Sequence, residues 1–197
     1  MKYLHIYKEW SETFLRGDEN QYGKGFDYRS YDTYEERESE LKKYIRSIGE
    51  KEFPNGIAGF DFERTLKIYT SYIDYYGYFD KGLSEMYDHL AGFEGLYNKG
   101  GQVYRLIYVN SEDEIDRENL GYHWTISTYE IDTLANNFLD WGKMYGGGKK
   151  YPYMITLETE PKNVSIDNVD VEGNPEEKEI NIIDFNKTKI IDIKLYQ

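Results

Sequence analysis

The chain has 197 residues, no cysteine, a formal net charge of −13 and a pI near 4.7. The absence of cysteine excludes disulfides and thiolate catalysis, the three widely separated histidines predict no metal site, and the acidic balance disfavours nucleic acid and anionic membranes as partners. No apolar run reaches the roughly 18 residues of a membrane span, and the N-terminal residues lack the apolar core of a secretory signal, so we expect a cytoplasmic protein that needs no membrane.

The first half of the chain, to about residue 98, carries helical patterning. In residues 32–49 one stripe holds the apolar positions Tyr34, Leu41, Tyr44, Ile45 and Ile48. Asp32 or Thr33 is a candidate N-cap for this helix, and Gly49 is a candidate stop. Residues 60–98 predict two or three further helices, because apolar residues recur every three or four positions at Phe62, Leu66, Tyr69, Ile73 and Tyr76.

The second half changes to β patterning. Residues 101–109 and 120–128 read as strands, residues 130–145 as a short helix and the glycine-rich residues 146–150 as a turn. Four more strands are predicted within residues 151–158, 162–168, 177–184 and 188–197. Helices first and strands second predict an α+β fold.

Arg105 interrupts the apolar strand VYRLIYV. A charged side chain in a strand that otherwise belongs to a core needs a partner. Two interpretations stay open: a structural ion pair, or an anion site in which the guanidinium grips phosphate oxygens.

Two further patterns accompany Arg105. In GYHWTIST, Thr125 and Ser127 share one face of the strand while Trp124 takes the other, which suits either an aromatic core residue or a hydroxyl-lined wall. In EKEINII, strand alternation places Glu177 and Glu179 about 7 Å apart on one face, where they repel. This pair is either solvated charge at the start of a strand or a functional pair.

In this order the motifs resemble the ADP-ribosyltransferases of the Arg–Ser–Glu class, most closely the bacterial and phage members. The resemblance covers about residues 62–197 and is carried by VYR at 103–105, LGYHWT at 120–125, Ala135 and Phe138 in the following helix, and PEEKEI at 175–180. It implies a split mixed β-sheet sandwich after an N-terminal helical region. The expected domains are a helical extension at 1–60 and a transferase-like domain at 61–197, with helices at 61–98 and a catalytic core at 101–197.

The chain departs from the family at two places. Leu106 follows Arg105 where the family often has glycine. The middle motif, usually Ser-Thr-Ser or Ser-Trp-Thr, is His123-Trp124-Thr125 here, with Ser127-Thr128-Tyr129 as the alternative register.

The resemblance implies NAD as the substrate, with nicotinamide released as ADP-ribose is transferred. Glu179 would stabilise the positive charge that develops on the ribose, and Glu177 would meet the acceptor, typically an arginine side chain in members with Glu-x-Glu. Thr125 would orient Glu179, and Trp124 or a nearby tyrosine would stack on nicotinamide. The positions expected to contact NAD are Arg105, Tyr104, Leu106, Trp124, Thr125 and Ser127.

We therefore expect a mono-ADP-ribosyltransferase that modifies a host or bacterial protein, as a phage effector or a toxin. Two alternatives stay open. One is an NAD glycohydrolase, in which water is the acceptor. The other is a non-catalytic acidic protein that binds and inhibits a partner on a degenerate transferase scaffold.

Overall fold

The computed structural model describes residues 32–76, 79–132, 135, 151–166 and 175–196. The predictions made for Phe138 and for the turn at 146–150 lie outside these residues. The described residues fall into two compact units. The first comprises those between 32 and 91 together with Pro175, and the second comprises those between 92 and 166 together with 176–196. These units follow compactness alone, so the expected domains at 1–60 and 61–197 stay a prediction.

Three helices precede the first strand in the described residues: α1 (Tyr34–Glu52), α2 (Phe62–Tyr76) and α3 (Phe79–Lys99). Thr33 is the N-cap of α1, and its hydroxyl accepts a hydrogen bond from the backbone N–H of Glu36 at 3.2 Å. The prediction that Gly49 stops α1 is wrong, because the helix continues to Glu52. Gly49 instead permits close packing, since a Cβ there would lie 2.8 Å from Cδ1 of Leu66 in α2.

The apolar stripe predicted for residues 62–76 faces the core of the first unit. Leu66, Tyr69 and Ile73 of α2 are buried. The rings of Phe53 and Tyr69 meet edge to face with centroids 5.5 Å apart, a favourable aromatic geometry. The sequence periodicity therefore identified the packing face of α2 correctly.

The described residues form one sheet of six strands: β1 (Gly101–Val109), β2 (His123–Thr125), β3 (Tyr151–Thr159), β4 (Val164–Ser165), β5 (Glu179–Ile182) and β6 (Thr188–Leu195). The strand order is β4-β5-β2-β1-β3-β6, and every pair is antiparallel. Helices followed by an antiparallel sheet confirm the predicted α+β class. None of the helices within the described residues has an apolar stretch long enough to cross a membrane.

Two elements near the predicted motifs differ from expectation. The strand predicted at 120–128 is confined to His123–Thr125, and residues 128–132 are already helical. Glu177 does not belong to the strand that follows it. It ends a 3-10 turn, Pro175–Glu177, and Lys178 then takes a left-handed conformation with φ of 46° before β5 begins at Glu179.

Candidate active site

A row of side chains crosses three neighbouring strands of the sheet. Tyr104 of β1 stands opposite Thr125 of β2, and Thr125 stands opposite Glu179 of β5. Directly opposed residues of antiparallel strands share a face of the sheet. Residues far apart in the sequence therefore lie side by side.

This row borders a cavity of about 220 Å³. Its lining contains seven of the eight predicted site positions and three residues to which the sequence assigned no role, Tyr108, His123 and Ile131. The seven are Tyr104, Arg105, Leu106, Trp124, Thr125, Glu177 and Glu179. Ser127 is the one predicted position that is not part of this lining. Its backbone N–H donates a hydrogen bond to the hydroxyl of Thr125, which does line the cavity, at 3.2 Å.

Arg105 is half-buried at the cavity. Its Nη1 donates a hydrogen bond to the backbone carbonyl of His123 at 2.8 Å. Burial lowers the pKa of Arg105, and the negative charge of Glu179 acts in the opposite direction. A guanidinium stays protonated in proteins, so the cavity holds a fixed cation.

Gly121 allows the Arg105 guanidinium to occupy this place. The backbone of Gly121 has φ of 76°, and a Cβ there would lie 2.8 Å from Nη1 and 3.0 Å from Cζ of Arg105. Only glycine combines this conformation with so close an approach. The motif LGYHWT contained this glycine, but sequence reasoning gave it no role because its contact is with a different strand.

Glu179 is held by a residue that sequence reasoning left without a function. Nδ1 of His123 lies 2.7 Å from Oε1 of Glu179, within reach for the imidazole to donate a hydrogen bond. The Glu179 side chain is 21% exposed and that of His123 is 55% exposed. The carboxylate is thus oriented at the edge of the cavity while the imidazole remains open to solvent.

Glu177 reaches the same cavity by a route that differs from the predicted one. It lies in the turn before β5, and strand alternation does not apply to it. The left-handed backbone of Lys178 separates the two glutamates. The ammonium of Lys178 lies 4.0 Å from the carboxylate of Glu130, and both side chains are largely buried. The turn therefore lets both glutamates line the cavity while the intervening lysine pairs elsewhere.

Trp124 is a core residue. It is 1% exposed, its indole N–H donates to the carbonyl of Gly121 at 2.9 Å, and its ring lies 6.4 Å from that of Phe185. A ring this buried has no face to offer a ligand. Tyr104 and Tyr108 are the other aromatic residues that line the cavity. Burial raises the pKa of Tyr108 to about 12, so this phenol is neutral at physiological pH.

Comparison with family models, with curated proteins and with solved structures found no match.

The cavity combines a cation, two carboxylates, a buried hydroxyl and aromatic rings. A guanidinium binds anionic oxygens, and a fixed carboxylate stabilises positive charge that develops beside it. Its volume of about 220 Å³ is below the roughly 300–1,000 Å³ typical of ligand pockets. It suits one part of a large ligand, with the remainder outside.

Proposed function

We propose that this protein is an NAD-dependent mono-ADP-ribosyltransferase that modifies a protein, with an arginine side chain as acceptor. One observation supports this most strongly. Arg105, Thr125, Glu177 and Glu179 come from three separate stretches of the sequence and line a single cavity. The order of the same residues along the chain carried the resemblance to the Arg–Ser–Glu class.

In the proposed reaction, the bond between nicotinamide and the ribose C1′ breaks, and nicotinamide leaves with the bonding electrons. The ribose becomes an oxocarbenium-like cation. Glu179 stabilises this charge as it develops, in the way that carboxylates act in glycoside hydrolysis. Arg105 binds the NAD phosphates through its guanidinium. The nicotinamide ribose occupies the cavity because Glu179, which acts on it, lines that cavity.

The second half of the reaction uses Glu177. A guanidinium nitrogen of the acceptor arginine forms the new bond to C1′, and Glu177 accepts the proton that this nitrogen loses. A carboxylate suits both tasks, since it pairs with guanidinium and serves as a general base. The mutual repulsion of the two glutamates is tolerable because one faces a cation that forms and the other a cation that is modified.

We further propose that the acceptor is a host or bacterial protein and that the chain acts as a phage effector or a toxin in the cytoplasm of a bacterium. The stacking role expected of Trp124 passes to Tyr104 or Tyr108, because the indole is buried.

The deciding experiment is transfer of label from biotinylated NAD to the proteins of a bacterial lysate, comparing the native chain with Glu179→Gln. Labelled bands that require Glu179 are the expected result. Glu158→Gln is the matched control, since it makes the same change at an exposed residue of β3, and it keeps full labelling. No labelling together with no saturable NAD binding would overturn the proposal in favour of the non-catalytic binding protein.

The acceptor role is tested separately with Glu177→Ala. This variant is expected to lose transfer to protein while it still releases nicotinamide. A native chain that hydrolyses NAD at the same rate with and without acceptor protein, and labels nothing, would identify a glycohydrolase instead.

A further inference from the structure

We infer that His123 is the positioning residue of Glu179, an inference that rests on the proposed function. Its imidazole Nδ1 lies 2.7 Å from Oε1 of Glu179. Its backbone carbonyl accepts the hydrogen bond from Nη1 of Arg105 at 2.8 Å. One residue of β2 thus holds the catalytic carboxylate with its side chain and the phosphate-binding cation with its main chain.

The carboxylate of Glu179 needs such a partner. A glutamate at the mouth of a cavity has several rotamers, and each unproductive rotamer removes the charge from the place where the ribose cation forms. A displacement of about 1 Å at a reacting group can reduce a rate by about 100-fold. A hydrogen bond to the ring of His123 selects one rotamer before NAD binds.

The threonine expected to perform this task lies beside the same carboxylate and also accepts a hydrogen bond from the backbone. Thr125 stands directly opposite Glu179 in the sheet, and its Oγ1 accepts a hydrogen bond from the backbone N–H of Ser127 at 3.2 Å. Thr125 is 5% exposed and builds the wall of the cavity. The positioning role therefore extends to His123.

The exposure of His123 makes this inference testable without unfolding the protein. Its side chain is 55% exposed, and substitution of exposed residues usually changes the stability of a protein little. Because Arg105 binds the backbone carbonyl of His123, changing the side chain leaves that contact in place. The two roles of the residue are separable.

The test compares His123→Asn with His123→Leu. The asparagine amide nitrogen replaces Nδ1 as a donor, whereas leucine has similar bulk and no donor. For nicotinamide release, we expect kcat of His123→Leu to fall about 10- to 100-fold, with the KM for NAD unchanged, and His123→Asn to retain most of the native kcat. Equal activity of the two variants, whether high or low, would overturn the positioning role.

A second readout does not depend on catalysis. If Nδ1 donates to Glu179, the neutral ring of His123 carries its proton on Nδ1, and ¹⁵N chemical shifts report which ring nitrogen is protonated. Glu179→Leu removes the acceptor and is expected to release this preference. The same tautomer distribution in the native chain and in Glu179→Leu would overturn the inference. Native protein that shows the Nδ1 preference but releases no nicotinamide would refute the proposed function alone.

Discussion

Two partly buried glutamates, Glu52 and Glu179, carry the same carboxylate in very different surroundings. Glu52 ends α1, and among the described residues neither of its carboxylate oxygens has a hydrogen-bond partner. Burial raises its pKa to about 7, with the charge of Lys51 opposing that rise. Glu179 begins β5, and its Oε1 lies 2.7 Å from Nδ1 of His123. Its negative charge raises the pKa of Arg105, against the effect of burial.

The difference between the two carboxylates lies in their hydrogen-bond partners, and it decides which of them can serve a reaction. Because no donor in the described part of the chain contacts it, the charged form of Glu52 is destabilised by burial, and this lowers the stability of the folded state when Glu52 is ionised. The Tyr69 hydroxyl, which is close enough to feel the charge of Glu52, also has no hydrogen-bond partner among the described residues. Burial and the charge of Glu52 raise the pKa of Tyr69. The contact with the His123 ring instead fixes the direction of the Glu179 carboxylate, and a reaction that passes through a cation requires a carboxylate held in place.

The largest expected effect is at Glu179. Glu179→Gln keeps the shape of the side chain and removes its charge, so we expect nicotinamide release to fall by a factor on the order of 10²–10³. Glu52→Gln, the same change at the other carboxylate, is expected to leave the rate unchanged. The measurement is steady-state release of nicotinamide. Equal losses in both variants would show that the two sites do not differ in function.

The next effect concerns the anchoring of Arg105. Gly121→Ala adds a Cβ that meets the guanidinium and places alanine at φ of 76°. We expect the free energy of unfolding to fall by about 1–2 kcal/mol from the backbone alone, and NAD binding to weaken because Arg105 must move.

Gly59→Ala is the matched control for Gly121→Ala. Gly59 has φ of 82° and nothing within 4 Å of an added Cβ. Gly59→Ala is therefore expected to lower the free energy of unfolding through the strained backbone, with no change in NAD affinity. Titration calorimetry with NAD and denaturant unfolding measure the two effects separately, and unchanged NAD affinity in Gly121→Ala would contradict the role of Arg105.

The third effect is a dependence of stability on pH that arises from Glu52. Because its folded pKa of about 7 lies above the ordinary value of 4.5, the folded state binds the proton more tightly than the unfolded state. The stabilisation from protonation is therefore complete below pH 4.5 and is lost as the pH rises through about 7. After discounting for solvent screening, we expect this contribution to be on the order of 1–2 kcal/mol.

Glu52→Gln isolates that contribution. The amide cannot ionise, so the variant is expected to be more stable than the native chain at pH 8 and to lose the advantage at pH 5. Urea unfolding at both pH values gives the difference between the two proteins. If the stability difference between the two proteins is the same at pH 5 and at pH 8, Glu52 does not titrate in this range.

The smallest effect compares two buried tyrosines of α2. The Tyr72 hydroxyl donates to the carbonyl of Pro175 at 2.8 Å and lies 2.7 Å from Nδ1 of His89. Tyr72→Phe removes the hydroxyl and with it both contacts, so the free energy of unfolding is expected to fall by about 1 kcal/mol. Tyr69→Phe removes a hydroxyl without a described partner, so its unfolding free energy is expected to stay constant or rise. Thermal unfolding of both variants tests the contrast, and equal losses would contradict it.

The sequence predicted those parts of the fold that local patterns determine. The cap at Thr33, the buried face of α2 and the long strand β1 follow from side-chain type and period within a few residues. Gly49 was misread because glycine both stops helices and admits close neighbours, and only the position of Leu66 distinguishes the two. Glu177 was misread because the turn before β5 depends on a left-handed Lys178, a conformation that lysine rarely adopts.

The candidate site was predictable in part for the same reason. Arg105 stood out as a charge in an apolar strand, and Glu177 and Glu179 stood out as a repelling pair. The roles of Gly121 and His123 were not predictable. Each depends on a contact with another strand, and neither residue type is unusual at its own position.

The sequence by itself determined the acidic balance, the succession of helices and strands, and the residues able to carry the proposed chemistry. Only the tertiary structure decided which charge has a partner. By placing β2 between β1 and β5, the sheet brings His123 to both Arg105 and Glu179, whereas the end of α1 leaves Glu52 with no described hydrogen bond. The reason is physical: a side chain's charge is fixed by its type, but its desolvation and its donors are set by neighbours that are distant in sequence.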